Sequence, residues 1–106
     1  MMYLNKVQLV GNITREPELK ILPSGTKLLT FSIATNKKWS NDGEKKESTE
    51  YHNIVAMGKN AEVLNEYINI GDSIYIEGSL QTRSWESDGR KVFRTGIIVD
   101  SFQFNK

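Results

Sequence analysis

Residues 73–85 read SIYIEGSLQTRSW, and their alternation decides the fold class. From Ile74 every second residue is apolar or small: Ile74, Ile76, Gly78, Leu80, Thr82 and Ser84. The other set is Ser73, Tyr75, Glu77, Ser79, Gln81, Arg83 and Trp85. A period of two belongs to a half-buried strand, so Ile74, Ile76 and Leu80 are expected in a core and the alternate set in water. At the far end of the wet face, Arg83 and Trp85 stand two positions apart on one side. A large aromatic beside a guanidinium suits the stacking of flat ligands. On this strand alone, the habits of tryptophan favour burial under a loop.

Working outward, residues 5–13 (NKVQLVGNI) put Val7, Leu9, Gly11 and Ile13 on one face, and Gly11 marks a bulge or bend. LKIL (19–22) leads through Pro23-Ser24-Gly25-Thr26 into LLTFSIAT (28–35), where Leu29, Phe31 and Ile33 share a face. Residues 37–50 change character: Trp39 is the one large apolar side chain in KKWSNDGEKKESTE. That segment is longer than a hairpin turn needs, so it is expected as an extended loop or a β-ribbon arm around Asp42-Gly43. Strand returns at 51–57, with Tyr51, Asn53, Val55 and Met57 facing one way and His52, Ile54 and Ala56 the other. A helix follows over 60–68, with Ala61, Leu64 and Ile68 on its apolar stripe and Asn60 expected to cap it. After 73–85, Ser87-Asp88-Gly89 turns the chain into a last strand, 91–104. There the apolar phase slips between Ile97/Val99 and Ile98/Phe102/Phe104, which either a bulge or two-sided burial would explain.

The order is strand, strand, strand, helix, strand, strand. It predicts a mainly β chain, a five-stranded OB-fold barrel over residues 1–106 with one helix between the third and fourth strands. A two-layer α+β sheet is the alternative.

Composition narrows the chemistry. The chain has 106 residues, the size of one domain, with 14 basic and 13 acidic side chains and a formal net charge of +1. Any basic footprint must therefore be local. No cysteine and a single histidine leave no thiol chemistry and no multi-histidine metal site, so no metal or cofactor is expected. No apolar run approaches the roughly 20 residues that span a bilayer, and the N-terminus is not a signal peptide, so a cytoplasmic protein is expected. His52 has no partner for nucleophilic catalysis, and Asp72, Glu77, Asp88 and Asp100 do not obviously converge, so the chain is not expected to be an enzyme.

What remains is a set of aromatics with cations interleaved. Trp39 lies in the polar segment, Tyr51 starts a strand on its polar face and Trp85 ends one on its polar face. Lys37, Lys38, Lys59, Arg83 and Arg94 lie among them, with Lys45, Lys46, Arg90 and Lys91 nearby. Aromatic platforms flanked by cations hold unpaired strands, because every base has a π-face and every link a phosphate. Each lysine singly reads as a solvated residue; the constellation does not, and it reverses the expectation of burial for Trp85.

NKVQLVGN (5–12), the Pro-Ser-Gly turn, FSIAT (31–35), Trp39, TEYHNIVAMGKNAE (49–62) and YIEGSLQTRSW (75–85) together resemble the bacterial single-stranded DNA-binding proteins, over nearly the whole chain. The resemblance implies an OB fold, a homotetramer, and sequence-independent binding of single-stranded DNA in replication, recombination and repair at the nucleoid. By position it implies stacking by Trp39, Tyr51, Met57 and Trp85, and phosphate contacts from Lys59 and Arg83. Lys37, Lys38 and Arg94 join the phosphate set from the basic stripe. His52 is implied at a subunit interface. Met57 stands where the family commonly has phenylalanine, making a softer thioether contact. Asn53, Ile70, Gln81 and Ser84 replace basic residues of better-known members. The family's glycine-rich linker and acidic tail have no counterpart in this sequence, so partners recruited through that tail are not expected. Tyr75 fits either the DNA track or a subunit contact. Three other readings stay open: a dimeric primosome-type accessory protein, a module whose aromatics dock protein, and, more weakly, an OB-type nuclease.

Overall fold

A computed structural model describes residues 1–105. Six strands and a helix follow in order: β1 (Val7–Ile13), β2 (Glu18–Ile21), β3 (Lys27–Asn41), β4 (Glu44–Met57), α1 (Lys59–Tyr67), β5 (Ser73–Ser87) and β6 (Arg90–Phe104). The sheet order is β1-β5-β6-β4-β3-β2, and β1 also pairs with β3. Strands β1, β3, β4, β5 and β6 thus close a five-stranded barrel, with α1 between its third and fourth strands. β2 is an extra strand on the edge of β3, pairing Glu18–Ile21 with Lys27–Thr30 around the Pro-Ser-Gly turn.

The closing seams are narrow. β1 meets β3 only at Asn12↔Ala34 and Ile13↔Ile33, and β4 meets β6 in parallel only at Ile54↔Ile97 and Val55↔Ile98. β1 changes neighbours close to Gly11, where a Cβ would stand 2.5 Å from the Ala34 carbonyl oxygen. A bend that tight needs a residue without a side chain.

The core follows the alternation. Ile13, Leu29, Phe31, Ile33, Ile54, Ala56, Ala61, Leu64, Ile74 and Ile76 are fully or almost fully buried. Removing one such side chain from water contributes about 1.5–3 kcal/mol. In β6 the phase slip is a bulge: Glu77 pairs with Ser101 but Gly78 with Val99, so Asp100 is the extra residue. The insertion returns Phe102 and Phe104 to the core side beside Ile97 and Val99, where all four pack on one cluster.

Two expectations need correction. Leu80 is not core; it is 51% exposed. The barrel ends before it, since β1 pairs with β5 only as far as Gly78. Asn5 takes up the slack, donating from Nδ2 to the Leu80 carbonyl and accepting its N–H at Oδ1, both at 2.8 Å. Nor does Asn60 cap the helix. The N-cap is Gly58 with no side-chain cap, because α1 begins one residue earlier than its polar pattern suggests. Asn60 lies inside the first turn, and its Nδ2 donates to the Val99 and Asp100 carbonyls at 3.4 and 3.5 Å, tying the helix to the bulge.

The 37–50 segment is a ribbon throughout. β3 and β4 pair without a break out to Asn41↔Glu44, and the turn has positive φ at both Asp42 and Gly43. β5 and β6 pair likewise to Ser87↔Arg90, with positive φ at Asp88 and Gly89. Two-residue turns of this hand match the twist of a hairpin. Beyond the barrel, each pair of strands therefore projects as a two-stranded arm.

Outside the barrel, Lys6 reaches Glu77 at 2.7 Å, and the Tyr75 hydroxyl donates to the same carboxylate at 2.9 Å while accepting from Gln8 Nε2 at 3.1 Å. The Lys6 hydrogen bond, seconded by Tyr75, holds the Glu77 carboxyl below its ordinary value. A carboxyl whose pKa is lower folded than unfolded stabilises above its unfolded pKa, and that contribution is lost as pH falls through the folded value. Thermal melts should therefore show Glu77→Gln less stable than wild type at neutral pH, by a small margin because the pair is solvated. The gap should close as pH drops below the usual carboxylate range. A gap that persists there would mean the ion pair is not its source.

Candidate nucleic-acid interface

Paired residues of an antiparallel ladder point to one side, and successive pairs alternate. On β3–β4 the core side carries Leu29/Ala56, Phe31/Ile54 and Ile33/His52; the outer side carries Leu28/Met57, Thr30/Val55, Ser32/Asn53 and Ala34/Tyr51. Val55↔Ile98 passes the outer side to β6, and from there Ile98/Ser79, Gly96/Gln81, Arg94/Arg83 and Val92/Trp85 carry it to β5. Tyr51, Met57, Arg83, Arg94 and Trp85 accordingly share one outer surface. Trp85 is not core: it is 46% exposed, with Met57 at 45% and Tyr51 at 68%.

A groove of about 150 Å³ crosses this surface between β2 and β5, lined by Arg15, Glu18, Lys20, Asn53, Arg83 and Arg94 among others. Four cations there face one carboxylate, so the local potential is positive although the chain as a whole carries +1. Arg15 and Lys20 were not picked out by sequence reasoning. The signal was the alternation within ELKI (18–21): once β2 is a strand, the pair Lys20↔Leu28 puts Lys20 on the outer side with Met57. Asn53 and Gln81 also line the groove.

The remaining residues are distributed differently. Lys38 continues the outer side onto the first arm, paired with Glu47. Trp39 and Lys37 do not share one side of that arm with Tyr51. They pair with Lys46 and Ser48 on the side that continues the core face, where Trp39 is 43% exposed. Trp39 borders two shallow hollows, one lined with Lys37, Ser48 and Glu50, the other with Lys38, Lys45, Lys46 and Glu47. Lys59 is exposed at the start of α1, two residues after Met57. His52 is half-buried on the core side and hydrogen-bonded to Thr35 Oγ1 through Nε2 at 2.8 Å. Thr35 in turn lies against the bend of β1 at Gly11. Among the described residues, no cluster of histidine or carboxylate side chains could hold a metal ion, and no helix is long and apolar enough to cross a membrane.

A small OB barrel whose half-exposed aromatics and cations share an open outer face belongs to the class of OB strand binders. Comparison with known proteins narrows this. The chain belongs to the single-strand binding protein family, whose sequence profile matches residues 4–105. Similar solved structures include the following two. One is the Plasmodium falciparum SSB in complex with ssDNA, with a TM-score of 0.90 and 35% identity over 100% of this chain and 98% of that one. The other is a deletion mutant of the single-stranded DNA binding protein from Thermus aquaticus, with a TM-score of 0.86 and 28% identity over 97% of this chain. This chain spans 51% of the Thermus protein. The family is one of strand binders, so the reading of the chain as non-enzymatic stands on membership.

Proposed function

We propose that this chain binds single-stranded DNA without sequence preference, as one OB domain, by stacking bases on Tyr51, Trp85, Trp39 and Met57 and neutralising phosphates with Arg83, Arg94, Lys37, Lys38 and Lys59. The observation that carries the reading is the shared outer face of Tyr51, Trp85, Arg83 and Arg94 around a groove with four cations and one carboxylate. Arg15 and Lys20 join the phosphate-facing set on the same ground. The role is protection and presentation of exposed strands in replication, recombination and repair, in the cytoplasm at the nucleoid.

The assembled form is a homotetramer. Among the described residues, Val7 to Gly11 have a strand partner on one edge only, since β3 meets β1 only at Asn12 and Ile13. Val10 is exposed beside that open edge, and His52 reaches it through Thr35. An open edge with an apolar residue on it supports pairing with a second copy.

Oligo-dT should quench the fluorescence of Trp39 and Trp85, with affinity falling as salt rises. Unchanged emission at micromolar DNA and low salt would overturn the reading; equal affinity for duplex would overturn the stacking mechanism. Sedimentation of the free protein separates a tetramer from the dimer of a primosome-type protein.

A further inference from the structure

The second arm exposes both of its faces. β5 pairs with β1 only as far as Gly78, and β6 pairs with β4 only from Ile97, Gly96 still lying beside Asn53 and Val55, so among the described residues 81–95 form a ribbon paired with no other strand. One face carries Trp85 and Arg83. The other carries Leu80, Thr82 and Ser84 of β5 with Thr95 and Phe93 of β6. On it, Phe93 is 63% exposed, more than Trp85 on the other side. Lys91 places its ammonium 5.8 Å from the centroid of the Phe93 ring. Phe93 pairs with Ser84 and Trp85 with Val92, so the two rings stand one ladder step apart on opposite faces. The first arm repeats the arrangement, with Tyr51 toward one face and Trp39 toward the other.

We infer that Phe93, with Lys91 beside it, is a further stacking platform for single-stranded nucleic acid, so that a bound strand leaves Trp85, rounds the edge of the second arm and stacks again behind it. The inference rests on the reading of the outer face as a single-strand track and extends that track to a face the track alone does not use. Charge complementarity selects the occupant. Between Gln81 and Gly96 the arm carries Arg83, Arg90, Lys91 and Arg94 against Glu86 and Asp88, so a polyanion is attracted to the ribbon. A base offers a flat apolar face to an exposed phenyl ring that stacks on no other ring among the described residues, and a phosphate answers the ammonium beside it. A ribbon with both edges open gives a flexible strand room to pass from one face to the other.

The test compares wild type, Phe93→Ala, Phe93→Leu, Phe93→Tyr and Trp85→Ala on oligo-dT of about 16 nucleotides per protomer, the upper range for one OB fold. Phe93→Ala should weaken binding roughly 5- to 150-fold at fixed salt, the equivalent of one lost stack. Phe93→Tyr should retain affinity, and Phe93→Leu, which keeps apolar area but no π-face, should not. With 4-fluorophenylalanine incorporated, the resonance missing from Phe93→Leu should shift on adding DNA while that of the fully buried Phe31 stays in place. Wild-type affinity in Phe93→Ala alongside a weakened Trp85→Ala would overturn the back-face platform and leave the outer track standing. Wild-type affinity in both would overturn the two together. Wild-type affinity in Phe93→Leu, or a change in the free protein's sedimentation on removing the ring, would also overturn the proposal, assigning the face to apolar contact or to a second copy.

Discussion

Gly78→Ala should destabilise the fold by about 3 kcal/mol, the upper part of the overpacking range. A Cβ at this position would lie 1.9 Å from the Ile98 carbonyl oxygen, 2.9 Å from its carbon and 3.3 Å from Val99 Cα. All three are backbone, so no side chain can swing aside. The position faces the bulge at Asp100, where β6 is pressed toward β5 while Phe102 and Phe104 regain the core side. The glycine is required by space, since its φ is not in the left-handed region. Gly96→Ala is the internal control: the same strand pair, but a nearest neighbour at 3.5 Å, which is ordinary contact. Urea unfolding should show a lowered midpoint for Gly78→Ala with little change in slope, and almost no shift for Gly96→Ala. Equal midpoints would mean that the bulge relaxes freely and does not constrain the barrel.

Removing both tryptophans should have the largest effect on function. Trp39→Ala with Trp85→Ala should weaken oligo-dT binding by about 2–6 kcal/mol, the near-sum of two stacks of about 1–3 kcal/mol each. Additivity is expected because the residues sit on separate arms that are not paired with each other. Both side chains are about half exposed, so the melting temperature should hardly move. The salt dependence should also persist, because the cations remain. A double variant that unfolds would show the tryptophans serving the structure. One that binds like wild type would leave the lysines and arginines as the whole interface.

The alternation Ile74, Ile76, Gly78 was legible and correct, because those positions lie inside the closed barrel. It failed at Leu80, where the same period continues but the layer that would cover it has ended. Periodicity reports which side a residue faces, not whether anything lies there. The slip in β6 was visible as an anomaly, and one inserted residue, Asp100, resolved it. Lys20 was missed because the alternation in ELKI does not say which of its faces is the outer one; the register Lys20↔Leu28 does.

Local residue chemistry by itself determined the order of elements, the two Asp-Gly hairpins, the exclusion of thiol and multi-histidine chemistry, and the pairing of Arg83 with Trp85 on one face. Each of these depends on neighbours within a few positions. Only the tertiary structure decided that Arg15 and Lys20 come to the same groove as Arg83 and Arg94, that the 37–50 segment stands as a paired arm, and that Trp39 and Phe93 lie on the reverse sides of their arms. Those outcomes depend on strand register and on where the barrel closes, which are set by contacts between residues far apart in the chain.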